Sequence, residues 1–244
     1  MNPLALAGAV AIGLALGLTG AGGSILTLPV LVYLAGVPPR EAVGLSLLVV
    51  GCAALVGAWQ RARAGEVHFK AVGLFAVSGM LGAVAGAQLT PLVPPPLLMS
   101  LFAGLMIVVA ARMLLPQKGP RSLAAECRPL RCLLAGAGVG VLTGFLGVGG
   151  GFLLMPALVK FARLPIRVAT GTSLAIIAAN SASGFLSHLA DAKVAWWLGA
   201  TFAGIAAAGV LLGGKMASAV PETTLRRAFA ALVLVTAAFV LWRK

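Results

Sequence analysis

The sequence predicts an all-α, polytopic integral membrane protein built from two inverted repeats, each a glycine-broken pair of short helices followed by three transmembrane helices. Three observations predict it. Hydrophobic residues make up 61% of the chain and charged ones 9%, with a mean hydropathy of +1.08. A soluble fold of 244 residues cannot hide that much apolar surface. Second, Gly17, Gly20, Gly22, Gly23, Leu26 and Pro29 recur without a gap, 127 positions on, as Gly144, Gly147, Gly149, Gly150, Leu153 and Pro156. Third, basic residues switch between equivalent loops of the two halves.

Taken in order, apolar segments run from Pro3 to Thr19, Ser24 to Val37, Ala42 to Gln60, Ala71 to Leu89 and Leu97 to Leu115. The second half repeats them over Leu133 to Leu146, Gly151 to Ala162, Ala169 to Ser187, Val194 to Gly214 and Leu225 to Trp242. The first two of each half are short against the roughly 20 residues that a span requires, so half-helices or re-entrant hairpins are expected there. The first segment has a counterpart after Leu130 and reads as a retained part of the repeat, not a cleaved leader.

The same offset pairs Pro38 with Pro165, Arg40 with Arg167, Gly44 with Gly171, Ser46 with Ser173, Gly57 with Gly184, Gly82 with Gly209, Gly86 with Gly213 and Pro94 with Pro221. Residues 1–111 thus form one repeat and 132–244 the other, joined by a basic linker, 112–131.

Cytoplasmic loops collect Lys and Arg. The first-half loop with Arg61, Arg63 and Lys70 corresponds to a second-half loop with Asp191 and Lys193. The uncharged loop from Thr90 to Pro96 corresponds instead to one with Lys215, Arg226 and Arg227. Inversion of one repeat explains these swaps together, with the linker cytoplasmic and both termini outside.

The net charge of +13 arises from 18 Lys and Arg set between apolar segments, where they mark topology and touch lipid headgroups; no nucleic-acid partner is expected. Cys52, Cys127 and Cys132 match no zinc or redox spacing and read as three free thiols. The run Gly209 to Met216 imitates a phosphate-binding loop, but it lacks the terminal hydroxyl residue and a preceding strand. No acid or histidine falls well inside an apolar segment, since Glu41, Glu66, His68, Glu126, His188, Asp191 and Glu222 lie at or beyond the ends. Neither an enzyme's nucleophile and base nor a cofactor or metal site is expected.

The paired Gly-x-x-Gly-x-Gly-Gly motifs at 17–23 and 144–150, each with its trailing proline, resemble the TauE/SafE family of sulfite and organosulfonate exporters. Ala169-Thr-Gly-Thr-Ser-Leu174 is similar to that family's second marker, and Ala42-Val-Gly-Leu-Ser-Leu47 to its first-half form. The resemblance implies a multi-spanning carrier of small sulfur-containing anions in the bacterial inner membrane.

Helix breaks at bilayer depth are tolerated only where they line protein or a cavity, and a restarting helix aims its N–H groups and positive dipole end into that space. Paired interrupted segments point to a transporter's binding site. The candidate substrate residues are therefore Gly20, Gly22, Gly23 and Ser24 with Gly147, Gly149, Gly150 and Gly151, completed by Ser46, Thr172, Ser173 and Asn180. Thr172, Ser173 and Asn180 are expected along one helical face. Gly82 and Gly86, four apart, read as helix-packing glycines, and Arg40 and Arg167 as anchors of their spans. The partners expected are a small anion, membrane lipid and, in a homodimer, a second copy. An anion channel lined by the same glycines, or a carrier of another small anion, is the alternative that the residues leave open.

Overall fold

The computed structural model describes residues 3–114, 129–146, 151–188, 195–217, 221, 224, 227, 230–231, 233–235 and 237–238. Among these there are helices and no strand. The helices are α1 (Pro3–Thr19), α2 (Gly22–Pro29), which continues as a π-helix over Val30–Leu34, α3 (Pro39–Arg63), α4 (Phe69–Leu89), α5 (Pro95–Leu114), α6 (Pro129–Leu146), α7 (Gly151–Phe161), α8 (Ile166–His188) and α9 (Trp196–Ala217). The described positions between 224 and 238 are helical as well.

Four helical stretches are long and apolar enough to cross a membrane: Pro39–Arg63, Phe69–Leu92, Pro129–Leu146 and Trp196–Ala217. The third corrects an expectation, because α6 is not a short segment. It starts at Pro129, inside the expected linker, while α5 reaches Leu114 at the linker's other edge. α8 is long enough at 23 residues, but its buried side carries Thr170, Thr172, Ser173, Asn180, Ser181, Ser183 and His188. A span so loaded needs protein around it, not lipid. Leu55, Val77, Leu81, Leu134 and Leu212 stand exposed on other helices, the faces that a bilayer covers. Trp59 at the end of α3 and Trp196 and Trp197 at the start of α9 are exposed too, as membrane-interface aromatics are.

Helix directions follow from which residues meet. Gly44 lies against His188, Gly51 against Ser181 and Gly57 against Leu174, so α3 and α8 cross antiparallel. These two helices are equivalent under the 127-residue offset, so equivalent elements run oppositely: the repeats are inverted. Phe75 meets Gly136, Gly79 meets Gly140 and Ala83 meets Gly144, making α4 and α6 parallel. In the same way Gly13 meets Ala206, and Gly17 meets Val210 and Gly213, making α1 and α9 parallel. Each half's fourth helix therefore packs on the other half's first, and the halves interlock instead of forming separate bodies. Glycines allow these close approaches: a β-carbon on Gly82 or Gly86 would strike the α6 backbone at Ala137 or Val141, which bears out their reading as packing residues.

α1 and α2 form a hairpin, with Gly23 against Ile12 and Leu16, and Gly8 against Val30. Pro29 contributes no N–H, and the turn after it widens into the π-helix, where Ala35 N–H reaches Val30 O at 3.0 Å. The helical stretches that begin at Gly22 and Gly151 are each followed by a left-handed cap at equivalent positions, Gly36 with φ of 71° and Arg163 with φ of 50°. In each, the next N–H reaches back six residues, Val37 to Leu31 O at 3.0 Å and Leu164 to Leu158 O at 3.4 Å.

Candidate functional site

The first glycine motif resolves into separate tasks. Gly17 lets α1 approach α9, where a side chain would meet the Val210 carbonyl. Gly20 takes φ of 70°, a region that L side chains avoid, and turns the chain out of α1. Its packing is also tight, since a β-carbon would stand 2.5 Å from Thr170 Cγ2. Gly22 begins α2.

Thr19 ties the break together. Its hydroxyl donates to Ala15 O at 2.7 Å and accepts from the N–H groups of Gly22 at 2.7 Å and Ala21 at 3.3 Å. Gly22, assigned by the sequence to an anion-binding nest, thus already has a partner for its N–H. The signal for this turn was in the sequence, a threonine whose hydroxyl reaches the N–H groups two and three residues on. Its second-half equivalent is Leu146.

In the second half, Gly147, Gly149 and Gly150 lie outside the described residues. Gly151 is described, and it opens α7 against the start of α2: a β-carbon there would be 3.1 Å from Ser24 Oγ and 3.2 Å from Ala21 Cα. The starts of α2 and α7 therefore meet inside the bundle. Ser24 is fully buried, and its hydroxyl donates to Ala21 O at 2.8 Å.

The remaining candidates diverge. Ser46 is buried in α3 and donates to Val43 O at 2.9 Å. Ser173 donates to Gly20 O at 2.9 Å and to Thr170 O at 2.8 Å, which binds α8 to the broken tip. Thr172 accepts the His68 N–H at 2.9 Å from the loop between α3 and α4. Asn180 points at Gly79 of α4. Thr172, Ser173 and Asn180 thus lie on the buried side of α8 and address three different elements.

Asn180 is 0% exposed, and neither Nδ2 nor Oδ1 has a hydrogen-bond partner; the adjacent Ser181 Oγ, equally buried, is unpartnered too. Ser181 faces Gly51 at the antiparallel crossing of α3 and α8. An unpaired buried polar group costs about 1–3 kcal/mol, so three such atoms on consecutive residues demand a reason.

Two basic residues expected in loops or beyond segment ends are buried instead. Arg61 lies in the last turn of α3, bridging Glu66 through Nη1 and the Gly17 carbonyl through Nη2 at 3.3 Å. His188 is the last residue of α8, its Nδ1 2.8 Å from Gly184 O and its Nε2 unpartnered. Since a carbonyl only accepts, Nδ1 carries the proton. Hydropathy missed both residues because segment ends were drawn where charge begins, whereas the helices run on. The offset would have found them, since Arg61 and His188 are equivalent positions. The expectation of three free thiols is also corrected: Cys52 is free, but Cys132, buried at the start of α6, is in a disulfide whose partner lies outside the described residues.

Among the described residues no carboxylate is buried and no cluster could hold a metal ion. Broken helices meeting inside a bundle of membrane-length helices are the architecture of a membrane transport protein. The chain belongs to the sulfite exporter TauE/SafE family, whose model matches residues 4–240. It is similar to a "Probable membrane transporter protein" of Xylella fastidiosa strain Temecula1, 33% identical over 95% of this chain and 92% of that one. It is also similar to the "Probable membrane transporter protein YdhB" of Bacillus subtilis strain 168, 28% identical over 89% of this chain and 91% of that one. No solved structure matches it significantly. The protein is a multi-pass membrane transporter, not an enzyme.

Proposed function

We propose that this transporter carries a small sulfur-containing oxyanion, sulfite or an organosulfonate, across the bacterial inner membrane by alternating access. The substrate sits at midplane, beside α8, where the starts of α2 and α7 meet. The observation that carries this reading is a pair of fully buried, unpartnered polar groups on consecutive residues of α8, the amide of Asn180 turned to α4 and the hydroxyl of Ser181 turned to α3. Amide and hydroxyl donors suit a compact oxyanion without a full cation alongside. The lack of a buried carboxylate among the described residues removes the repulsion that an anion would meet. The family's description as sulfite exporters supports the cargo.

The test is flux into proteoliposomes holding the purified protein, with sulfite, thiosulfate, sulfate and a small sulfonate, each with and without a pH gradient. Saturable sulfite or sulfonate flux is expected. No flux of any anion overturns the reading, and unsaturable flux replaces the carrier by a channel.

A further inference from the structure

We propose that Arg61 is a binding residue for the transported anion at the end of the bundle where α3 stops, and that Glu66 is an internal anion holding this position until substrate displaces it. The inference rests on the reading of the protein as an anion carrier.

Arg61 is the one buried Lys or Arg among the described residues. Its partner Glu66 is less sheltered, the two side chains being 9% and 24% exposed, so the pair is approached from the carboxylate's side. Glu66 belongs to the short loop between α3 and α4. That loop is clasped at both edges, by Glu66 N–H to Arg61 O at 3.0 Å and by His68 N–H to Thr172 Oγ1 at 2.9 Å.

The pair fronts the broken tip of the first hairpin. Nη2 of Arg61 holds the carbonyl of Gly17, three residues before the turn at Gly20. Gly171 of α8, whose β-carbon would sit 3.0 Å from Arg61 Cβ, is two residues from Ser173, which donates to Gly20 O. Arg61 and the α1–α2 break are thus joined through one turn of α8.

A guanidinium binds a carboxylate and a sulfur oxyanion through the same planar fork. Glu66 and the substrate therefore compete for Nη1. The second half differs at the equivalent positions: that of Arg61 is His188, buried with Nε2 unpartnered, and that of Glu66 is Lys193, with Asp191 two residues before it. The position of Arg61 is thus an arginine in one half and a histidine in the other, and the acid at the Glu66 position itself belongs to the first half alone.

The experiment measures sulfite flux by the full-length protein in proteoliposomes, with sulfite presented on the side of the α3–α4 loop. Wild type, Glu66→Gln, Arg61→Gln and Arg61→Lys are compared, and the fold of each is checked by thermal unfolding in detergent. Glu66→Gln is expected to lower KM several-fold, a gain that loss of a merely structural ion pair would not give. Arg61→Gln should raise KM roughly tenfold or more, and Arg61→Lys should recover part of it. An unchanged or raised KM in Glu66→Gln overturns the proposal, even if Arg61→Gln fails to fold. If wild type moves no anion, the carrier reading falls, and sulfite's effect on thermal unfolding decides this one separately. A shift larger in Glu66→Gln than in wild type upholds anion binding at Arg61, and no shift in either overturns it.

Discussion

Ser24 and Gly151 occupy the same place in the two halves, 127 residues apart, and they touch: a β-carbon at Gly151 would stand 3.1 Å from Ser24 Oγ. Equivalent residues can meet only on the axis that relates the repeats, so this contact marks where the axis passes through the core. The starts of α2 and α7 converge on it.

That contact leaves no space at Gly151, where a β-carbon would also stand 2.6 Å from Ile177 Cδ1. Gly151→Leu is expected to destabilise the protein by about 1–3 kcal/mol through overpacking and to abolish flux. Thermal unfolding and proteoliposome uptake measured together check this; a variant with wild-type stability and flux would remove the axis from the site.

Asn180 separates a binding role from a structural one. Replacing an unpartnered buried amide by an apolar side chain of similar size relieves desolvation. Asn180→Leu should therefore leave stability unchanged or raise it by about 1 kcal/mol, while sulfite flux falls at least tenfold. Retained flux would sink the midplane site; lost stability would show that the amide is paired in the fold.

The inverted arrangement sets a sidedness that can be read chemically. With Cys52 replaced by alanine, single cysteines at Pro94 and Pro221, which are equivalent positions, should react with an impermeant thiol reagent from opposite faces of the membrane. The uncharged loop at Pro94 should label from outside and Pro221 from the cytoplasm. Reversed labelling would overturn the cytoplasmic placement of the basic end.

Much of the architecture was legible because membrane helices declare themselves locally. Pro3–Thr19 was bounded correctly by apolarity alone, and the break at Gly20 was visible because clustered glycines disfavour a continuous helix. Inversion was legible from the charge swaps, since lipid-headgroup and translocation physics act on each loop separately. The site was less so. Thr172, Ser173 and Asn180 sit on one helix, and spacing suggested one face, but which neighbour each addresses depends on helices distant in sequence: the α3–α4 loop, the tip at Gly20 and α4 at Gly79. Likewise, Arg61 reads as a loop charge until α1 is brought beside α3 and the Gly17 carbonyl comes within its reach.

By itself, then, the sequence determined a membrane-embedded, duplicated, glycine-broken helical chain, because apolarity, repetition and backbone freedom belong to residues and their near neighbours. Only the tertiary structure decided which polar groups are paired and which are not. Thr19, Ser24 and Ser173 spend their hydroxyls holding the broken hairpin, whereas Asn180, Ser181 and the Nε2 of His188 stay unpartnered. Hydrogen bonding at a buried site is a relation between helices, and helix packing across the two interlocked halves alone sets it.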